Sequence, residues 1–405
     1  MKRWIIGLAA AFALGVPSTA MAQCSINNET PLTMLSNSFE AWKIMSDAMT
    51  SCGNFEGTLD ADYRLKVNDA LAANPSVFSM VGVSNSTLTP LVADGLVRPL
   101  NDLVEQYGAD LLPSQLITVD GDIVAISMMV NAQHLMYRAD ILDVLGLDVP
   151  ETYPEVLEVA AEIQDSGLVD YPLVGTFGAG WNLGEEFVNM YLGYDTPMFT
   201  ADNRPNVNNE DGVAALEMLK ALGEYMDPEY LSFDSTAAQQ KMQQGQAAMT
   251  NLWATRAAAM DNAEESEVVG MVEFAAAPAA FAGGAPATTL WWDGISIAAN
   301  ISDEEAEAAF KVLLEGIKYD VLSQHPDAAI WLSNPAIESD VAVGAQASAA
   351  GGAPAYPSSN LIGIMHNAAG EFIPAYLNGE TSAEEALAAM EDAYLTAAQE
   401  NGLIN

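Results

Sequence analysis

The sequence has very few basic side chains. Its 405 residues include 13 lysine and arginine residues against 55 aspartate and glutamate residues, which gives a formal net charge of −42. Proteins that follow the phosphates of nucleic acids need clustered basic side chains, so this balance excludes a nucleic-acid-binding function. Half of the residues are nevertheless hydrophobic, and this fraction is too high for a disordered acidic chain. The length allows roughly two or three domains.

The residues and motifs of common catalytic and metal sites are also scarce. The three histidines, His134, His325 and His366, do not have the clustered spacing of a metal site. The sequence contains no Cys-x-x-Cys pair, no His-Glu-x-x-His helix, no P-loop and no glycine motif of the dinucleotide-binding type. We therefore expect a binding protein with no cofactor and no metal, and not an enzyme.

The amino terminus has the pattern of a secretory signal peptide. Two basic residues precede an apolar segment at 4–16, which is followed by small residues that include Ala20 and Ala22. This combination predicts export and cleavage after Ala22, and the apolar segment is too short to span a bilayer, which takes about 20 residues. We therefore predict that residues 1–22 are a signal peptide and that the mature protein is periplasmic.

The chain has only two cysteines, Cys24 and Cys52. In an oxidising compartment two thiols normally form one disulfide bond. A predicted strand at 31–35 and a predicted helix at 39–50 would return Cys52 to the start of the strand, so we predict a Cys24–Cys52 disulfide. Lipidation of Cys24 stays the alternative because this residue closely follows the cleavage site, although Gln23 is not the small residue that a lipidation motif has at that position.

Helix-like and strand-like segments alternate along the chain. Sequences of the Ser/Thr-x-x-Glu type begin at Thr152, Ser302 and Ser382, and each precedes an apolar stripe with helical spacing. Short apolar segments of strand length lie between the predicted helices, at 77–83, 123–130, 173–177 and 294–299. Strands that alternate with helices predict an α/β fold with parallel sheets that are covered on both faces.

Six segments follow one another in an order typical of one protein family. They are 71–80, 91–103 (LVADGLVRPLNDL), 121–142, 245–253 (GQAAMTNLW), 292–297 and 382–387. Each resembles an element of the extracellular solute-binding proteins of ABC transporters, the class that includes maltose- and other sugar-binding proteins. In that family a Gly-x-Ala-Ala-Met strand ends in the ligand cleft, and residues 245–249 match this pattern.

The resemblance implies a periplasmic-binding-protein-like fold of two α/β lobes joined by three crossings, with a cleft for the ligand between them. We expect residues 23–130 and 291–331 to form lobe I, and residues 131–290 and 332–405 to form lobe II. The resemblance also implies that a small-molecule solute is delivered to the permease of an ABC transporter, and we expect a monomer. Ligands of open α/β sheets bind beyond the carboxyl ends of strands, so residues at these ends are the binding candidates.

The candidate ligand-binding residues follow predicted strands or lie at predicted crossings, and they combine aromatic rings with amides, hydroxyls and two carboxylates. They are Asn37, Glu40, Trp42, Ser84, Asn85, Asn131, Gln133, Trp181, Asn182, Asn251, Trp253, Trp291, Trp292, Asp293 and Tyr356. A sugar has a C–H face that packs on aromatic rings, and hydroxyls that bond to amides and carboxylates. The set therefore predicts a carbohydrate ligand, either a monosaccharide or an oligosaccharide.

Two other functions fit part of this pattern. The same aromatic side chains would form a cage for a quaternary ammonium such as a betaine, and the acidic protein would attract such a cation. A secreted polysaccharide-active enzyme would also have tryptophans and carboxylates in its cleft, but it needs a pair of acids on either side of the bond that it cleaves. Asp293 and Glu40 are the only evident acids of the cleft, and we predict that they form no such pair.

Overall fold

The computed structural model describes residues 24–404, and the predicted signal peptide lies outside them. The strands are β1 (Asn28–Ser36), β2 (Gly53–Leu59), β3 (Met80–Ser84), β4 (Leu116–Val119), β5 (Asp122–Asn131), β6 (Gln133–Arg138), β7 (Tyr171–Leu173), β8 (Ala247–Trp253), β9 (Val272–Ala275), β10 (Trp291–Ile297) and β11 (Ile330–Trp331). The helices are α1 (Glu40–Thr50), α2 (Val67–Ala72), α3 (Asn85–Ala93), α4 (Asn101–Tyr107), α5 (Ala139–Leu145), α6 (Tyr153–Ser166), α7 (Trp181–Leu192), α8 (Glu210–Gly223), α9 (Ser235–Gln243), α10 (Asp303–Gly316), α11 (Tyr319–Leu322), α12 (Val343–Ala350), α13 (Asn360–Leu377) and α14 (Ala383–Glu400).

The strands form two sheets. The seven-stranded sheet has the order β11-β5-β10-β3-β1-β2, and β4 pairs with β5 beside this path. In this sheet β1 runs parallel to β2 and β3, whereas β10 runs antiparallel between β3 and β5. The second sheet has four strands in the order β7-β8-β6-β9. We call the body built on the seven-stranded sheet lobe I and the body built on the four-stranded sheet lobe II.

Within residues 24–404 the chain passes between the two sheets three times. β5 ends at Asn131 in lobe I, and β6 begins at Gln133 in lobe II. The chain returns to lobe I between β9 and β10, and it leaves again after β11 for α12, which packs on β6 and β9. The predicted two-lobed α/β fold is therefore confirmed, whereas the residue boundaries proposed for the lobes stay a prediction.

Each lobe has its own hydrophobic core because helices cover each sheet. In lobe I, α1 and α10 pack on each other and bury Met45 and Phe310 completely. In lobe II, α7 packs on α8 and α13, and Phe187 and Met365 are completely buried there. Among the described helices, none combines the length and the apolar character that a membrane span requires.

Cys24 and Cys52 form a disulfide bond, with their Cα atoms 5.0 Å apart. This confirms the predicted pairing, and it engages the sulfur that lipidation would modify. A bridge of this kind stabilises a protein by about 3 kcal/mol, mainly by restricting the unfolded chain. Glu315 lies close to both sulfurs, and in the described part of the chain these three residues are the group whose spacing suits a metal ion. Bonded sulfurs are not thiolate ligands, so this group does not fit a metal site.

Candidate ligand-binding site

A cleft of about 1250 Å³ lies between the two lobes. The loops that follow the parallel strands β1, β2 and β3 bring Asn37, Arg64 and Ser84 to its lining. Asp293 lies opposite Ser84 in the register of β10 and β3, because β10 is antiparallel and starts where β3 ends. The site therefore lies beyond the carboxyl ends of parallel strands, as is usual in α/β folds. We call Asn37, Arg64, Ser84 and Asp293 the polar wall.

Aromatic side chains line the cleft on the side of lobe II. Trp181 begins α7 and Trp253 ends β8, and their ring centroids are 6.5 Å apart. Trp291 has its ring 5.7 Å from Trp181 and 5.8 Å from Trp253, and Tyr356 packs on Trp291 with centroids 4.0 Å apart. We call Trp181, Trp253, Trp291 and Tyr356 the aromatic wall. These rings are within contact distance of one another and form one aromatic cluster, in which Trp181 is the most exposed ring and Tyr356 is almost completely buried.

Glycines allow the close approach of helices that positions Trp181. Gly180 precedes α7 with φ of +96°, a conformation that favours glycine. Further along α7, a Cβ atom on Gly184 would lie 2.4 Å from the backbone oxygen of His366 on α13. This spacing puts the His366 ring against the indole of Trp181, with ring centroids 5.0 Å apart.

The hydrogen bonds of His366 fix its tautomer and two residues of the aromatic wall. Its Nε2 atom lies 2.7 Å from the backbone oxygen of Trp181, which can only accept, so Nε2 carries the proton. Nδ1 then accepts a hydrogen bond from the hydroxyl of Tyr356 at 2.9 Å. Burial lowers the pKa of His366 to about 4, so the ring is neutral at physiological pH. These two hydrogen bonds fix the position of Tyr356 relative to Trp181.

A buried carboxyl group holds Trp291 from behind. The indole nitrogen of Trp291 donates a hydrogen bond to Oε1 of Glu185 on α7 at 2.9 Å. Burial raises the pKa of Glu185 to about 8, and the hydrogen bonds from Thr289 and Trp291 oppose this rise. Glu185 therefore retains a proton over much of the neutral range and supports the aromatic wall without placing a full charge beneath it.

The adjacent residue Glu186 is the centre of a second buried network, inside lobe II. It accepts hydrogen bonds from Thr176 and from Nε2 of Gln133, the latter at 2.8 Å. The side-chain oxygen of Gln133 in turn accepts bonds from Asn189 at 3.0 Å and Asn251 at 3.2 Å. Burial raises the pKa of Glu186 to about 7. This network joins β6, β8 and α7, so it fixes the helix that carries Trp181 to the sheet of lobe II.

Most of the predicted binding residues line the cleft. They are Asn37, Glu40, Ser84, Asn131, Trp181, Asn182, Trp253, Trp291, Asp293 and Tyr356. Asp293 is buried, and burial raises its pKa to about 7, while the Arg64 guanidinium opposes this rise. Glu40 is exposed and lies 3.9 Å from Lys43 on the next turn of α1. Of the two predicted acids of the cleft, Asp293 is thus buried and Glu40 is exposed to solvent.

Three of the predicted residues form contacts inside lobe I instead. Trp42 is completely buried beneath β3, where a Cβ atom on Gly82 would lie 2.7 Å from its ring. Trp292 points to the face of β10 opposite to Trp291, because successive side chains of a strand alternate, and it packs in the core of lobe I. Asn85 accepts a bond from the backbone nitrogen of Trp292 at 2.9 Å, so it joins the start of α3 to β10.

Two further predicted residues, Gln133 and Asn251, belong to the buried network of Glu186. The side chain of Gln133 is completely buried, and Asn251 also donates to the hydroxyl of Tyr153 at 3.3 Å. The structure therefore does not place Trp42, Asn85, Gln133, Asn251 and Trp292 in the lining of the cleft, and a contact of these residues with the ligand stays a prediction. A polar residue near a strand end can face the ligand, or it can form hydrogen bonds with neighbouring strands. The sequence pattern is the same in both cases.

The sequence reasoning missed Arg64, which is the central basic residue of the cleft. Its guanidinium carbon lies 4.4 Å from the centroid of the Trp181 ring, within the range of a cation–π contact. Arg256 also lines the cleft and donates to Oε1 of Gln239 at 2.8 Å. The scarcity of basic residues in this sequence was the one signal that pointed to Arg64, because its position after β2 was not predicted.

Comparisons with known proteins agree with this architecture. The family model described as bacterial extracellular solute-binding protein matches residues 63–315, which is more than half of the chain. No curated protein matches the chain.

Solved structures of low sequence identity have the same fold. An ABC transporter solute-binding protein from Agrobacterium radiobacter in complex with ribitol is 21% identical, with a TM-score of 0.80 over 92% of this chain and 100% of that chain. A solute-binding protein from Agrobacterium vitis with bound D-mannitol is 20% identical, with a TM-score of 0.78 over 92% of this chain and 99% of that chain. Maltose-bound T. maritima MalE3 is 20% identical, with a TM-score of 0.76 over 91% of this chain and 99% of that chain. Together with the family match, the fold and the cleft lead to one conclusion: this chain belongs to the bacterial extracellular solute-binding protein family.

Proposed function

We propose that the protein binds a carbohydrate in the cleft and delivers it to the permease of an ABC importer. The observation that carries this proposal is the pairing of a polar wall with an aromatic wall across one cleft. Ser84 offers a hydroxyl, Asn37 an amide and Asp293 a carboxyl group, all of which bond well to sugar hydroxyls. Trp181 and Trp253 offer apolar surface for the C–H faces of a sugar ring.

The similar solved structures support a polyhydroxylated ligand. Their bound compounds are ribitol, D-mannitol and maltose. All three carry hydroxyl groups on neighbouring carbons, and the side chains of the polar wall suit this pattern because each can donate or accept more than one hydrogen bond. The volume of about 1250 Å³ exceeds the ~300–1,000 Å³ of ordinary small-molecule pockets, so more than one sugar unit fits.

A betaine in an aromatic cage is the competing ligand, and the charge distribution of the cleft disfavours it. The positive charge next to Trp181 already belongs to the protein, since Arg64 lies 4.4 Å from that ring. A quaternary ammonium bound there would lie beside a guanidinium, and like charges repel. A ligand with many hydroxyls does not meet this repulsion.

We also infer that the protein is a periplasmic monomer that releases its ligand chemically unchanged. The family is one of solute-binding proteins, and the pattern of residues 1–22 is that of a signal peptide. Membership of this family favours a role in transport over catalysis, so we expect the polysaccharide-active enzyme to be the wrong alternative.

A thermal-shift screen of the mature protein tests the proposal. The panel contains neutral saccharides, polyols, acidic saccharides and betaines, each at several millimolar. A ligand at 100 times its Kd stabilises the native state by about 2.7 kcal/mol, which raises the melting temperature by several degrees, and we expect this from at least one saccharide or polyol. Stabilisation by betaines alone would contradict the proposal. Recovery of a cleaved saccharide after incubation would contradict the assignment as a receptor.

A further inference from the structure

Arg64 is the residue of the cleft that indicates a more specific ligand. It lies in the short 3₁₀ helix Tyr63–Leu65 that follows β2 in lobe I, and the completely buried ring of Tyr63 anchors this turn. From there the guanidinium extends to Trp181 of lobe II, 4.4 Å from the ring centroid. Arg64 therefore extends from lobe I to the aromatic wall of the cleft.

Most basic residues in the described part of the protein form an ion pair with a carboxylate, but Arg64 does not. In residues 24–404 at least seven lysines and arginines have a carboxylate oxygen within 4.0 Å, for example Arg98 with Asp303 and Arg138 with Asp140. Among the described residues no carboxylate oxygen lies that close to Arg64, although acids outnumber bases about four to one. Its Nε atom is buried and has no hydrogen-bond partner in the described part of the chain. The guanidinium therefore keeps donor capacity for a ligand.

The nearby carboxyl groups cancel this positive charge only in part near neutral pH. Burial raises the pKa of Asp293 to about 7 and that of Glu185 to about 8, and in both cases the Arg64 charge opposes the rise. Near neutral pH both groups are therefore largely or partly protonated. An arginine keeps its charge under all such conditions. The base of the cleft is thus a small positive region in a strongly acidic protein.

We propose that Arg64 binds a carboxylate of the ligand, so that the cleft selects an acidic saccharide such as a uronate or an aldonate. The inference rests on the proposed function and makes it more specific. The guanidinium of an arginine is planar, and its N–H groups form a fork that can bind both oxygens of a carboxylate. The hydroxyls of the same ligand then bond to Asn37, Ser84 and Asp293.

Calorimetric titration with matched pairs of saccharides tests this inference. Each pair differs only in the oxidation of one carbon: glucose with glucuronate and with gluconate, galactose with galacturonate, mannose with mannuronate, and the corresponding disaccharides. Hydrogen bonds to charged groups are the stronger class, so we expect an acidic member to bind about 10- to 100-fold more tightly than its neutral partner. Arg64→Gln is expected to abolish this preference, and Arg64→Lys to reduce it. The control Arg98→Gln removes another lobe I arginine, which is paired with Asp303, and is expected to keep the preference.

The outcomes separate the two proposals. Neutral members that bind as tightly as acidic ones, or an Arg64→Gln variant that weakens both members of a pair equally, would overturn the role of Arg64 and leave the carbohydrate receptor in place. If no saccharide of either kind binds, both proposals fail. Circular dichroism verifies the fold of each variant. Should Arg64→Gln not fold, the Arg64→Lys variant decides, and an unchanged preference there would overturn the inference.

Discussion

The two walls of the cleft are built in different ways. Each of the four side chains of the polar wall comes from a different strand or from the segment that follows it. The rings of the aromatic wall contact one another and are fixed from behind by Glu185 and His366. The aromatic wall is therefore preorganised, whereas the polar wall consists of side chains from separate segments of the chain. Preorganisation reduces the entropy lost on binding.

The largest expected effect concerns the buried support of the aromatic wall. Burial raises the pKa of Glu186 from 4.5 to about 7, so the folded protein holds more protons than the unfolded chain between these values. The free energy of unfolding then falls as the pH rises through this window. Glu186→Gln has no proton to lose, so relative to the wild type it should gain on the order of 3 kcal/mol between pH 4 and pH 8.

Urea denaturation of both proteins at several pH values measures this gain. Glu162→Gln, an exposed glutamate on α6 of the same lobe, controls for the loss of one negative charge. A difference between Glu186→Gln and the wild type that does not change with pH would show that Glu186 is not a protonated support of lobe II.

Removal of one ring from the aromatic wall should have the next largest effect. Trp181→Ala deletes the surface that also holds Arg64, and central tryptophans of binding sites commonly contribute ~2 kcal/mol or more. We expect the affinity for the ligand to fall about 30-fold or more, as measured by titration calorimetry. An affinity within about 3-fold of the wild type would mean that the aromatic wall is not a binding surface.

A single change in the polar wall should have a smaller effect. Asp293→Asn keeps the size of the side chain but weakens the hydrogen bonds that it accepts from ligand hydroxyls. Because Asp293 is only partly ionised near neutral pH, we expect an affinity loss of about 5- to 10-fold, as for a typical hydrogen bond of about 1 kcal/mol or slightly more. Asp303→Asn, an exposed residue of lobe I, should not change the affinity. Equal effects of the two variants would contradict the assignment of the polar wall.

The smallest effect distinguishes two neighbouring tryptophans on one strand. Trp291→Phe removes the hydrogen bond to Glu185 but keeps an aromatic ring, and a typical hydrogen bond contributes about 1 kcal/mol. We expect an affinity loss of about 3- to 5-fold and no loss in Trp292→Phe, whose ring packs in lobe I. If Trp292→Phe has the larger effect on affinity, the side-chain alternation assigned to β10 is wrong.

Elements with strong local signals were predicted well from the sequence. Thr152 and Glu155 form the expected reciprocal hydrogen bonds at the start of α6, as do Ser382 and Glu385 at the start of α14. These bonds are local, so a short sequence pattern determines them.

The missed residues depend on contacts between distant segments. β2 was not predicted because it is an edge strand with two glycines and one buried apolar side chain, Phe55. Without β2, the position of Arg64 beyond a strand end was not evident. The sequence also does not predict that Glu185 and His366 lie close together, because only the packing of α7 on α13 brings them to the aromatic wall.

Hydrogen exchange with and without a bound saccharide tests the central claim most directly. If the ligand binds between the two walls, amides near Arg64 and Ser84 in lobe I and near Trp181 and Trp253 in lobe II should all exchange more slowly in its presence. Slower exchange in peptides of both lobes is the result that our account predicts. Protection confined to one lobe, or none at either wall under saturating ligand, would contradict it.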